Sequence, residues 1–139
     1  MADNTDTRTI QHSLHHCHTI AVVGLSPKPH RDSYRVAQYM QAQGYRIIPI
    51  NPNATQVLGE QAYGSLSEAA AHAQIDLVDC FRNSEDIPPI AQEAIAIGAK
   101  VLWLQRGISH SEAEAQARAA GLAVVSDHCL MVEHRNLQS

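Results

Sequence analysis

Apolar residues recur along this chain in two alternating rhythms. Short, nearly unbroken apolar runs are separated by longer stretches with apolar residues three and four positions apart. "TIAVVG" (19–24) is the first such run, closed by a glycine. A run of that kind marks a strand buried on both faces, as in a parallel sheet. "YRIIPIN" (45–51), "IDLVDCF" (75–81), "KVLWLQ" (100–105) and "LAVVS" (122–126) repeat the pattern. The stretches between them predict helices. One spans 33–43, with Asp32 or Ser33 as its cap, Val36, Ala37 and Met40 as its inner stripe and Gly44 as its stop. Residues 58–73 read as turns followed by a short helix near Ser67. Residues 84–98 predict a capped helix with an apolar stripe at 90, 91, 94 and 95, ending on Gly98. Residues 109–121 predict another, with Ala113, Ala117 and Ala120 inward and Gly121 after its end. Ahead of the first strand, 9–18 reads as a short helix carrying Ile10 and Leu14, and 1–8 as a flexible tail.

Strands and helices alternate along the whole chain. That predicts an α/β fold: one doubly wound domain over 9–139, with a mainly parallel five-stranded sheet. Ligands of such folds sit at the carboxyl ends of the strands, near the point where strand order reverses. The strand ends here are Gly24-Leu25-Ser26, Asn51-Pro52, Phe81-Arg82 and Gln105-Arg106-Gly107.

The bulk numbers narrow the setting. A chain of 139 residues fits one core. Aromatics are only 4%, so aliphatic residues must fill the interior. A net charge of −4 with no basic run argues against nucleic acid or an anionic membrane as partner. No apolar stretch approaches the roughly 18 residues of a membrane helix. The polar start "MADNTDTRT" shows no secretory signal. Cys17, Cys80 and Cys129 are odd in number and form no C-x-x-C pair, so a reducing cytoplasm is expected.

The loop after the first strand, "VVGLSPKPHRDSYRV" (22–36), begins as a dinucleotide site begins. Yet Ser26 and Pro29 stand where the later glycines of G-x-G-x-x-G would be. Pro27 and Pro29 stiffen the loop but remove two N–H donors. Lys28, Arg31 and Arg35 are the cations able to replace them at a phosphate. The second strand ends in Asn51-Pro52, with no acid until Glu60. An NAD site places a carboxylate there for the ribose, so a ligand with extra phosphate fits better.

"VVGLSPKP…SYRVA", "GYRIIPINP", "DLVDCFRNSE", "AIAIGAKVLWLQ.GI" and "GLAVVSDHCLMVEH" occur in that order. Over about residues 10–137 they resemble the small stand-alone CoA-binding proteins, which look like the N-terminal CoA-binding domain of the succinyl-CoA synthetase α subunit. The resemblance implies a Rossmann-like fold that binds coenzyme A. It implies phosphate contacts at Gly24, Ser26, Lys28 and Pro29, continuing into Ser33, Tyr34 and Arg35, with Asn51 and Pro52 from the second strand end. It implies Phe81, Arg82 and Ser84 along the adenine and ribose, and Gln105 and Gly107 on the far wall. It carries no ligase chemistry, because the phosphorylated histidine and the grasp domains lie outside the matching part.

Other features read more plainly. His12, His15 and His16 could share a helix face beside Cys17 and His18, but no distant partner completes a metal set, so no metal is expected. Cys80 reads as a packed thiol and Trp103 as core or pocket wall. Cys129 beside His128 lacks the geometry of a nucleophile and its base; redox sensing or a mixed disulfide with the CoA thiol suits it better. Asp76 and Asp79 read as strand-end acids. The chain therefore reads as a cytoplasmic protein that binds CoA or acyl-CoA without catalysis, as carrier, sensor or partner module. An NAD(P)-dependent oxidoreductase and an interaction module with a vestigial pocket are the alternatives.

Overall fold

The computed structural model describes residues 7–138. Five strands, β1 (Thr19–Val23), β2 (Arg46–Ile50), β5 (Leu77–Cys80), β6 (Val101–Leu104) and β7 (Ala123–Val125), form one parallel sheet in the order β2-β1-β5-β6-β7. In β1, Ala21 pairs with Ile48 on one side and with Val78 on the other. The chain leaves β1 for β2 in one direction and reaches β5 in the other. The strand order therefore reverses between β1 and β5, and a crevice opens there.

Both faces of the sheet are covered, which is why its strands are apolar runs and not alternating ones. Alternate residues feed two separate cores. Ala21, Val78, Cys80, Leu102 and Leu104 pack with α3 (Leu66–Ala70), α4 (Ile87–Ala96) and α5 (Ser111–Ala119). Ile20, Val22, Leu77, Trp103 and Val125 pack on the other face with α1 (Thr7–His16), α2 (Asp32–Ala42) and α6 (Leu130–Gln138). Pro49 sits in β2, a sheet edge, where a missing N–H is tolerated.

Several boundaries differ from the sequence reading. Helix α1 starts at Thr7, so Thr7 and Arg8 are helical; the rest of the expected tail, 1–6, lies outside the described residues. Neither Asp32 nor Ser33 caps α2. Its N-cap is Arg31, which offers no side-chain bond; Asp32 is in the first turn and Ser33 is buried. Residues 84–86 form a 3₁₀ turn without a side-chain cap, and the α4 helix proper buries Ile87, Ala91 and Ala94, while Ile90 and Ile95 are only partly covered. Helix α5 is capped by the His110 ring, which accepts from the Ala113 amide at 3.2 Å; Ala120 is exposed. Two elements are additional. A small antiparallel hairpin pairs β3 (Gln56–Val57) with β4 (Glu60–Gln61), and α6 closes the chain.

Candidate functional site

The first loop is shaped by close backbone approach. Gly24 has φ +88° and donates to the Ile50 carbonyl at 3.0 Å. A Cβ at this position would lie 2.5 Å from the Phe81 carbonyl oxygen, so both the dihedral and the space require glycine. This contact brings the ends of β1 and β5 together. Past Gly24 the loop is held by its own serines. The Ser26 amide donates to Ser33 Oγ at 3.0 Å, and the Lys28 amide donates to Ser26 Oγ at 3.1 Å. That is why Ser33 faces inward. Leu25 is buried and its carbonyl accepts from Asn51 Nδ2 at 2.9 Å. The Asn51 side chain thus ties the loop to the end of β2.

Three adjoining cavities open at the carboxyl ends of the strands. The first, of about 620 Å³, lies over the loop and is lined by Gly24, Ser26, Lys28, Arg31, Ser33 and Phe81. The largest, of about 850 Å³, lies between β5, β6 and α6; Arg35, Arg82, Ser84, Gln105 and Gly107 line it, and Phe81 is common to both. The third, of about 330 Å³, lies between Pro52 at the end of β2 and the start of α4, and shares Arg82 with the second. The remaining expected residues line none of the three. Asn51 is taken up as a tie, Pro29 is exposed beside Lys28, and Tyr34 packs half-buried against the core. Val36, Ile108, Met131 and Val132 also line the largest cavity, and no site role was expected of them. Val36 was legible only as a helix-stripe residue; Met131 and Val132 depend on α6, which the apolar pattern alone did not mark.

Cations gather at these cavities. Arg35 pairs with Asp32 and donates to the His30 carbonyl at 2.6 Å. Arg82 pairs with Asp86 at 3.4 Å. Among the described residues Lys28, Arg31 and Arg106 form no ion pair. Ser84 does not cap α4; its Oγ accepts from the Ser109 amide at 3.1 Å and joins two of the loops that border the largest cavity.

The acids of the third strand divide. Asp76 accepts from the amides of His18 and Thr19 at 2.8 and 3.0 Å and faces Lys100. Burial pushes its carboxyl up, but these bonds and the nearby lysine prevail and hold it below the usual range. Asp79 is no strand-end acid. It lies inside β5 between Val22 and Trp103, fully buried, with no hydrogen-bond partner for either oxygen. Burial pushes its carboxyl well above the usual range. Cys80 is buried, as is Cys17, whose thiol burial pushes up to about 11. Cys129 is half-buried at the largest cavity, while the His128 ring is turned to the Ser126 carbonyl at 2.6 Å. On α1 the rings of His12 and His16 stack at 4.0 Å. Among the described residues no group of three or more His, Cys, Asp or Glu is placed to hold a metal ion. No described helix is long and apolar enough to cross a membrane.

A family model described as a CoA binding domain matches residues 18–135. The chain belongs to this family. Within reach of it stands the uncharacterized protein YneT of Bacillus subtilis, 40% identical over 131 residues that cover 94% of this chain and 96% of that one. A hypothetical protein from Pyrococcus horikoshii has the same structure at a TM-score of 0.92 and 36% identity, covering 99% of this chain and 96% of that one. A dinucleotide-forming acetyl-coenzyme A synthetase from Ca. Korarchaeum cryptofilum superposes on 78% of this chain with a TM-score of 0.68. The match takes in 26% of the synthetase, and at 20% identity it speaks for a shared fold alone. The Rossmann-like architecture and the family resemblance read from the five motifs both hold.

Proposed function

We propose that this chain binds coenzyme A, or an acyl derivative of it, across the three adjoining cavities. The reading includes no chemistry of the chain's own: it serves as a cytoplasmic carrier, sensor or partner module. The observation that carries the proposal is the first-loop cavity, in which Gly24, Ser26 and the unpaired Lys28 and Arg31 surround a space at the switch point. Phosphates belong there, where backbone approach is close and free cations stand ready. The adenosine lies beside Phe81 and Arg82, toward Pro52. The pantetheine arm runs the other way, past Ser84 to the wall formed by Gln105 and Gly107. Tyr34 and Pro29 act on the ligand through the shape of the loop.

The alternative, an NAD(P)-dependent oxidoreductase, meets an obstacle at the end of β2 in its NAD form. Asn51 is committed to the Leu25 carbonyl and the Asn53 amide, and no carboxylate stands there for a ribose. Calorimetry decides between them. CoA is expected to bind and neither NAD nor NADP to bind; either dinucleotide binding at least as tightly as CoA would overturn the proposal.

A further inference from the structure

Arg106 stands on a tight turn after β6. The Ile108 amide donates to the Gln105 carbonyl at 3.0 Å, and Gly107 follows Arg106 at φ +82°. That is the form of a type II turn, whose third residue takes a positive φ. Both sides of the turn are held. Gln105 is buried and its Oε1 accepts from the Leu130 amide at 3.0 Å, while the Gly107 amide donates to Asp127 Oδ1 at 2.7 Å. The backbone that carries Arg106 is thus fixed, and the residue itself is exposed and lines the largest cavity. Arg35 and Arg82 line the same cavity, but each is engaged, Arg35 with Asp32 and Arg82 with Asp86. Arg106 forms no ion pair among the described residues, not even with Asp127, which bonds its turn. Of the acids on this cavity, Asp32 is taken by Arg35, and Glu85 lines the third cavity as well.

Coenzyme A employs the other free cations and leaves this one over. Its diphosphate and 3′-phosphate carry its charge, and its pantetheine arm is neutral as far as the thiol. Lys28 and Arg31 line the first-loop cavity, and Arg82 lines both the largest and the third. Arg106 lines the largest cavity and neither of the other two, in the segment Gln105-Arg106-Gly107 toward which the arm runs. A bare thiol gives a guanidinium there nothing to hold. A carboxylate gives it two oxygens in the plane of its fork. We propose that the site selects an acyl-CoA whose acyl group ends in a carboxylate, a thioester of a short dicarboxylic acid, and that this carboxylate pairs with Arg106. The selectivity rests on the CoA-binding reading and goes one step further, since it names the class of CoA species that the site prefers.

The test is calorimetry on the full chain at low salt, with CoA and two matched pairs: malonyl-CoA against propionyl-CoA, and succinyl-CoA against butyryl-CoA. Within each pair a carboxylate replaces a methyl group. In at least one pair the acid should bind about fivefold tighter than its neutral partner, the upper end for an exposed ion pair. That ratio should fall toward one as salt rises, because an exposed charge is screened. Arg106→Gln should bring the ratio to about one, Arg106→Lys should keep part of it, and Arg106→Glu should take it below one. Arg106 is exposed on a turn whose form depends on Gly107, so these variants are expected to keep the wild-type melting temperature. Neutral partners that bind the wild type as tightly as the acids in both pairs would overturn the inference and leave the CoA site standing. A ratio that survives Arg106→Gln would also overturn it, since a guanidinium that serves a phosphate weakens all five ligands by one factor. If none of the five binds, the CoA reading falls and the inference with it.

Discussion

Arg82 stands where two of the cavities meet, half exposed, with Asp86 as its ionic partner at 3.4 Å. An exposed pair of this kind contributes about 0–1 kcal/mol, so the guanidinium is free to exchange Asp86 for a better partner. A phosphate offers two oxygens to its planar fork. The surrounding backbone and hydroxyl groups leave the task to side-chain cations, and Arg82 is the one that borders both cavities. Ser84 is engaged with Ser109, and the next helix begins with Pro88 and Pro89, which supply no N–H donors. CoA differs from its dephospho form by one 3′-phosphate. Arg82→Ala is therefore expected to weaken CoA more than tenfold in a binding assay and to leave dephospho-CoA nearly unchanged. Equal losses on both ligands would move the 3′-phosphate to Arg31 or Arg35, which also line these cavities. At this scale the sequence was informative about which positions meet the crevice. It could not show what each side chain does there, as Asn51 and Ser84 illustrate: both spend their polar atoms on neighbouring loops.

Among the elements, the five parallel strands were legible because burial on both faces leaves continuous apolar runs. The missed elements lack that signal. In α6, Leu130, His134 and Leu137 have helical spacing, but a histidine interrupts the apolar stripe. Its burial depends on Tyr39, whose hydroxyl meets the ring at 2.9 Å from 95 positions away. The β3–β4 turn places Leu58 at φ 55° before Gly59, and a leucine conceals a turn that asparagine or aspartate would announce. Asp79 was misread for a related reason. An acid in an apolar run suggests an exposed strand end, and only the register between Val22 and Trp103 reveals that it is enclosed. Its consequence is a pH dependence of stability. Burial raises the Asp79 carboxyl, so the folded chain keeps a proton that the unfolded chain has lost. The group's full contribution is present below the unfolded value of about 3.9 and declines as pH rises toward the folded one. Over that window the slope is about 1.4 kcal/mol per pH unit. Asp79→Asn removes it. Urea unfolding at pH 5, 6, 7 and 8 should show the variant gaining on the wild type as pH rises. A difference that stays constant with pH would mean that Asp79 does not titrate with folding.

For the whole molecule, net charge and charge distribution point in different directions. The sum is −4, which lowers the expectation of a polyanionic partner. Yet of the 10 lysines and arginines, Lys28, Arg31, Arg35, Arg82 and Arg106 all line cavities at one end of the sheet. An acidic protein thus gathers half of its cations at its strand carboxyl ends, among the acids Asp32, Glu85, Asp86 and Glu93, a clustering that no sum along the sequence reveals because the five residues come from three loops and helix α2. The ligand proposed for this cluster is small and multiply anionic, and its binding must depend on salt. Lys28 is the sharpest probe. Its amide is fixed to Ser26 Oγ, its residue is exposed, and its ammonium has no ion pair. Lys28→Ala is expected to weaken CoA by about 1–3 kcal/mol at low salt, the range for a lost charge-assisted contact. The loss should shrink as salt rises, because an exposed charge is screened within about 10 Å at 0.1 M. If the Lys28→Ala loss is absent at low salt, the phosphates do not lie over the first loop. If it is present but independent of salt, Lys28 acts by holding the loop's shape and not through its charge.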